Sequence, residues 1–271
     1  MQGPIEKMTS DPATPVRYQL PVGDEAIDLQ PRIGGKLTLR FDGEIRCSNC
    51  GRITKKSFNQ GYCFPCARKL AACDICILRP ERCHYDAGTC REPDWGLANC
   101  MQPHYVYLAN TSGLKVGITR HNQTPTRWID QGATEALPIM RVSTRLISGL
   151  VEVAVAAHVS DKTNWRAMLK GPPAPVDLAA ERDRLLTLCE SELDRIRRDF
   201  GPDAMELLPD EKPHCFDFPV LEYPQKVSSL SFDKLDEIGG QLMGIKGQYL
   251  IFDQGVINIR RFRSYVITVA D

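Results

Sequence analysis

The sequence predicts an α+β protein: a zinc-ribbon-like cysteine block and a three-stranded antiparallel sheet with flanking helices, with a small β-domain drawn from the two termini. Three observations predict it. Nine of the eleven cysteines lie between positions 47 and 100. Residues 104–160 read as strand, strand, helix, strand, helix. Short strand-like runs broken by turn signals fill residues 17–46 and 241–270.

Met1 to Val16, with three prolines, reads as a loose terminus. Strands follow from Arg17 to Arg46, with turns expected at Gly23-Asp24, Gly34-Gly35 and Asp42-Gly43. These strands lack partners of their own, and the expected partners lie at the far end of the chain. There, Tyr249–Phe252 and Val256–Ile259 flank Asp253-Gln254-Gly255, a hairpin signal, and Ser264–Val269 closes the set. Two independent β segments are the alternative arrangement. The boundaries are 1–46, 47–103 (cysteine block), 104–170 (central unit), 171–213 (helical connector) and 214–271.

Cys47-Ser-Asn-Cys50 and Cys63-Phe-Pro-Cys66 are two C-x₂-C knuckles separated by twelve residues. Four thiolates at this spacing close a tetrahedral Zn²⁺ site, which in so short a segment replaces a hydrophobic core. Cys73, Cys76, Cys83, Cys90 and Cys100 form a second set, accompanied by His84 and His104. The Cys73/Cys76 knuckle is expected to open a second zinc site, completed by two of Cys83, Cys90 and Cys100. An iron–sulfur cluster is the alternative there, because cysteines alone hold one. Cys189 and Cys215 stand apart and read as ordinary buried residues.

In the central unit, Tyr105–Ala109, Leu114–Thr119 and Leu137–Ser143 are the expected strands. Thr124-Pro125 reads as a hydroxyl cap and first-turn proline, and Gly132 as the end of that helix. The second helix, Ser148–His158, is apolar except for Glu152. A carboxylate in such a run needs a cation, a metal or hydrogen bonds to stay ionised. Arg127, on the preceding helix, is the expected cation, either in a cleft or as a plain ion pair between helices. Asp177–Phe200 reads as one long helix, its apolar stripe running from Leu178 to Phe200.

Val106-Tyr107, then Lys115-Val116-Gly117-Ile118-Thr119, Arg127 and Glu152 resemble the GIY-YIG nuclease superfamily. The resemblance implies Tyr107, Arg127 and Glu152 as catalytic residues, with Glu152 holding Mg²⁺ or Mn²⁺. Lys115 stands where that superfamily carries its second signature tyrosine, as a cation toward phosphate. Over most of its length the chain is also similar to domain-of-unknown-function family 2797, through PERCH, GTCR, KVGITR, PTRWIDQGA and GIKGQYL.

Hydrophobic residues make up 42% and charged residues 25%, an ordinary globular composition. The net charge is zero, but residues 47–170 hold 16 Lys and Arg against 9 Asp and Glu, a surplus of seven. A basic middle suits an anionic partner such as nucleic acid, with Lys55, Lys56, Arg120 and His121 as the candidate contacts. No apolar run reaches about 18 residues and no signal-peptide pattern opens the chain, so the expectation is a cytoplasmic protein without a membrane partner. Nothing in the sequence sets an oligomeric state. Two readings of function follow: a divalent-metal-dependent endonuclease, or a non-catalytic nucleic-acid-binding or interaction protein with a degenerate nuclease fold. A redox module is the third.

Overall fold

A computed structural model describes residues 1–270. The chain opens with strands β1 (Gln2–Pro4), β2 (Thr9–Asp11), β3 (Arg17–Val22), β4 (Glu25–Asp28), β5 (Lys36–Arg46) and β6 (Ile53–Thr54). The cysteine block carries α1 (Phe64–Lys69) and α2 (Pro93–Asn99) among 3-10 turns. The central unit is β7 (His104–Asn110), β8 (Leu114–Arg120), α3 (Thr126–Asp130), β9 (Glu135–Val142) and α4 (Arg145–Ala156). Then come α5 (Trp165–Met168), α6 (Leu178–Leu188), α7 (Glu190–Phe200), β10 (Met205–Leu207) and β11 (His214–Cys215). The chain ends in β12 (Glu237–Lys246), β13 (Tyr249–Phe252), β14 (Gly255–Asn258) and β15 (Tyr265–Ala270).

Among the described residues the fold is mixed α+β with three antiparallel sheets. The largest is ordered β1-β15-β5-β12-β13-β14, with β6 on the end of β5. Strands from both ends of the chain therefore share one sheet, β5 lying between β15 and β12. The second sheet is β10-β9-β7-β8, with β11 also on β9, and the third is β2-β3-β4. One core joins the first and third sheets; a separate core lies between the second sheet and α4, α6 and α7.

Several elements depart from the sequence reading. The first sixteen residues are not loose: Ile5, Met8 and Val16 are fully buried and β1 and β2 pair in sheets. Pro4 is itself paired at the end of β1, opposite Val266, and only Pro12 and Pro15 fall between strands, β2 and β3. Asp42-Gly43 is no turn; β5 runs through it as a bulge opposite β15, with Gly43 at φ +80°. Residues 178–200 form two helices, because Cys189 leaves helical geometry at φ −99°, ψ 6°. Leu188 and Phe200, read as part of the stripe, are exposed. Helix α3 starts at Thr126, and the Thr124 hydroxyl donates backward to the His121 carbonyl (2.8 Å) instead of capping it.

Alternation on β7 positions the site. Val106 and Leu108 face the core under α4, whereas Tyr107 and Ala109 face Trp128 of α3. β7 is the middle strand, flanked by β8 and β9. On α4, Ile147, Val151 and Val155 are buried at helical spacing, and Glu152 flanks that stripe, half-buried.

Candidate metal centre and candidate active site

The two knuckles converge. The sulfurs of Cys47, Cys50, Cys63 and Cys66 all lie within 4.8 Å of one another. Cys50 Sγ and Cys63 Sγ are 3.8 Å apart. This is too long for a disulfide, and it matches the edge, about 3.8 Å, of a tetrahedron with 2.3 Å Zn–S bonds. Burial pushes the Cys47 thiol up, but backbone N–H groups of Cys63, Cys50 and Asn49 outweigh it and bring it down to about 6. The donor set is therefore geometrically and chemically fit for zinc. The block is tied to the terminal sheet at Ser264, whose hydroxyl donates to the Gly61 carbonyl (2.7 Å) and contacts Ser48 Oγ (2.8 Å).

In the second set, Cys76, Cys83, Cys90 and Cys100 line one small cavity together with Asp74 and His84. Asp74, Cys76 and His84 bring their ligand atoms within 4.8 Å of one another. Cys73 does not line this cavity. His104, weighed as a ligand, is a core residue: it is fully buried, with Nδ1 2.6 Å from the Gln102 carbonyl. Cys215 is exposed rather than buried, whereas Cys189 is buried as expected.

The structure draws Tyr107, Lys115 and Arg127 together on the α3 face of the sheet, opposite the core under α4. Tyr107 is fully buried and lies across Gly117, its partner on β8. A Cβ on Gly117 would sit 2.7 Å from Tyr107 Cζ and Oη, so only glycine admits the ring. Gln131 links Tyr107 to Arg127. In the amide orientation that satisfies both, it donates to Tyr107 Oη (2.8 Å) and accepts from Arg127 Nε (3.2 Å) and Nη2 (3.1 Å). The Arg127–Glu152 ion pair anticipated between helices is not formed among the described residues; Glu152 has no hydrogen-bond or ion-pair partner there.

The charges nonetheless act on each other. Lys115 is 5% exposed, and burial lowers its ammonium to about 8, with Arg127 acting the same way and Glu152 and Asp161 opposing. Burial raises the Glu152 carboxyl to about 7, against the pull of Lys115, Arg127 and Arg145. Tyr107 is raised by burial, with Arg127 opposing. Burial thus works against the charge on both Lys115 and Glu152, the kind of perturbation that marks a candidate site.

Gln131 and Asp161 were not anticipated. Gln131 stands four residues after Arg127, a spacing that shares a helix face and could have flagged it. Asp161 follows Ser160, which bridges to Lys115 in a non-local contact that no local pattern announces. The candidate nucleic-acid contacts are dispersed. Lys55 and Lys56 are exposed beside the first knuckles. Arg120 lies on the opposite face and opposite end of β8 from Lys115, donating to Asn99 Oδ1, and His121 follows it, exposed.

Among the described residues, no helix is long and apolar enough to cross a membrane. Over residues 34–267 the chain matches the profile of a family described as a protein of unknown function (DUF2797). No curated protein and no solved structure matches it.

Proposed function

The chain belongs to the DUF2797 family, and we propose that it is a nucleic-acid-binding zinc protein whose central unit hydrolyses phosphodiester bonds with a divalent metal, in the manner the GIY-YIG resemblance implies. One observation carries this reading. Tyr107, Lys115 and Arg127, from β7, β8 and α3, share one face of the sheet, and Glu152 of α4 interacts with them around its β8 edge. An unpaired, half-buried carboxylate with several positions left for water fits Mg²⁺ or Mn²⁺. Such an ion would neutralise a non-bridging phosphate oxygen.

The chain's own groups have distinct parts. Arg127, oriented by Gln131, stabilises charge developing on the phosphate. Tyr107, held by the same amide, orients the attacking water. Lys115 binds the phosphate as a cation from its buried seat. The basic middle of the chain, with exposed Lys55 and Lys56, supplies non-specific attraction to the backbone.

A second reading rests on one specific departure. Lys115 replaces the second signature tyrosine, leaving one phenol at the site, as a protein that binds nucleic acid without cleaving it would have. Cleavage and binding assays separate the two. Wild-type protein with Mg²⁺ or Mn²⁺ is expected to cut one of branched, single-stranded or duplex substrates. Glu152→Gln is expected to bind but not cut, and Arg127→Ala to lose about 10²–10³ in rate. Binding with no cleavage by wild type would leave the second reading; salt-independent binding, or none at low salt, would overturn both.

A further inference from the structure

We propose that Cys76, Cys83, Cys90 and Cys100 form a second tetrathiolate zinc site that clamps the start of α4, and that Cys73, Asp74 and His84 are not its ligands. The proposal holds whether or not the central unit is a nuclease. The four thiols line one small cavity although they come from four separate turns spread over 25 positions. Gly96 of α2 makes room for the third, since a Cβ there would lie 3.0 Å from Cys90 Sγ. A 30-residue stretch with so little helix has no apolar core of its own, the situation in which bound metal supplies folding free energy.

The other candidates are already engaged. The Asp74 carboxylate pairs with Arg91 Nε (2.6 Å), faces His84 Nε2 (3.6 Å) and accepts from the Cys76 N–H (3.4 Å). His84 meets Thr89 Oγ1 through its other nitrogen (2.8 Å). Their approach to Cys76 is therefore an ion-pair and hydrogen-bond network beside the thiols. Where soft thiolates are available, zinc selects them over a carboxylate held by arginine. Cys73 does not share the cavity, so the C-x₂-C spacing of Cys73 and Cys76 misleads.

Charge and packing connect the site to α4. Four thiolates around Zn²⁺ carry two net negative charges. Arg145, the first residue of α4, interacts favourably with Cys76 and Cys100. Its guanidinium donates to the Ile77 carbonyl (2.7 Å) and its backbone N–H to the Cys100 carbonyl (2.8 Å). The N-terminus of this twelve-residue helix adds partial positive charge on the same side. The Pro80–Arg82 turn, just before Cys83, lies directly on α4, where a Cβ on Gly149 would be 2.3 Å from the Glu81 nitrogen.

The test is metal content per chain of anaerobically purified full-length protein, read by native mass spectrometry and by Co²⁺ exchange spectra. Wild type is expected to hold two zinc ions, Cys73→Ser and His84→Gln also two, and Cys83→Ser or Cys90→Ser one. Amide exchange over residues 145–149 should rise in Cys90→Ser and not in Cys50→Ser. One ion in Cys73→Ser or His84→Gln, two in Cys90→Ser, one in wild type, or iron with cluster absorbance would each overturn the proposal. Because Cys73 and His84 are outside the ligand set, their variants stay folded and decisive if a ligand variant does not.

Discussion

Gly117→Ala tests the seat of Tyr107 without reference to any metal. The new Cβ would stand 2.7 Å from Tyr107 Cζ and Oη and 3.2 Å from Cε2, so the ring must withdraw by about 0.7 Å to reach ordinary contact. It has little room: Tyr107 is fully buried, packs edge-on against Trp128 with centroids 5.8 Å apart, and is held at its hydroxyl by Gln131. Overpacking of this kind costs about 1–3 kcal/mol, while replacing a strand glycine returns about 0.5–1 kcal/mol. A net loss of about 1–2 kcal/mol is expected, read from urea midpoints at constant slope. In a Tyr107→Leu background the penalty should vanish, because the clashing atoms are gone; the difference is the coupling energy of the double-mutant cycle. A Gly117→Ala protein as stable as wild type, or the same loss in both backgrounds, would refute the reasoning.

Three further outcomes are expected. Cys50→Ser should release the metal held by the first knuckles, seen as one zinc fewer per chain, and protein retaining all its zinc would exclude Cys50 as a ligand. Burial lowers His104 to about 4, so the unfolded chain takes its proton first; this contribution is complete above pH 6.5, is lost as pH falls toward 4, and amounts to about 3 kcal/mol, a slope that denaturant titrations should find missing in His104→Gln. Gln248→Leu strands the Met8 backbone N–H and carbonyl that the buried amide satisfies (2.8 and 2.9 Å), and calorimetry should show a loss of about 2–3 kcal/mol.

The most legible parts of the fold were those encoded by neighbours in sequence. The two knuckles announced the first sulfur cluster through spacing alone. The strands of the central unit and the Tyr249–Phe252 hairpin carried β-branched and aromatic runs between turn residues, and they pair as antiparallel ladders. What failed was context. Asp42-Gly43 has turn chemistry, but β5 pairs with β15 on both sides of it, so the two residues are taken up as a bulge within one strand. Thr124 has capping chemistry, but its hydroxyl finds the His121 carbonyl first. The Arg127–Glu152 pair was inferred from charge sign, which cannot reveal that Gln131 occupies the guanidinium. Cys73 has knuckle spacing yet does not line the cavity that Cys76 does, a fact fixed by how the 3-10 turns stack.

The motifs PTRWIDQGA and GIKGQYL, more than a hundred residues apart, meet in space, and their meeting explains residues the candidate site leaves unused. Gln248 Nε2 donates to Asp130 Oδ1 (2.8 Å), while Asp130 Oδ2 pairs with Lys7 Nζ (2.7 Å). Gly247, at φ +61°, brings its backbone so near that a Cβ would lie 2.9 Å from the Asp130 carbonyl. The end of α3 is thus gripped by the first residues of the chain and by β12–β13 of the terminal sheet. Arg127 and Gln131 stand three residues before and one residue after Asp130, so the same grip fixes the two groups that orient Tyr107 and the guanidinium. On the other side, Gly149 seats the cysteine block against α4 three residues before Glu152. Each charged element of the site is therefore held from outside the central unit: α3 by the terminal sheet, α4 by the cysteine-rich turns. That placement gives a physical reason for a central unit of modest size to be carried within this chain rather than alone.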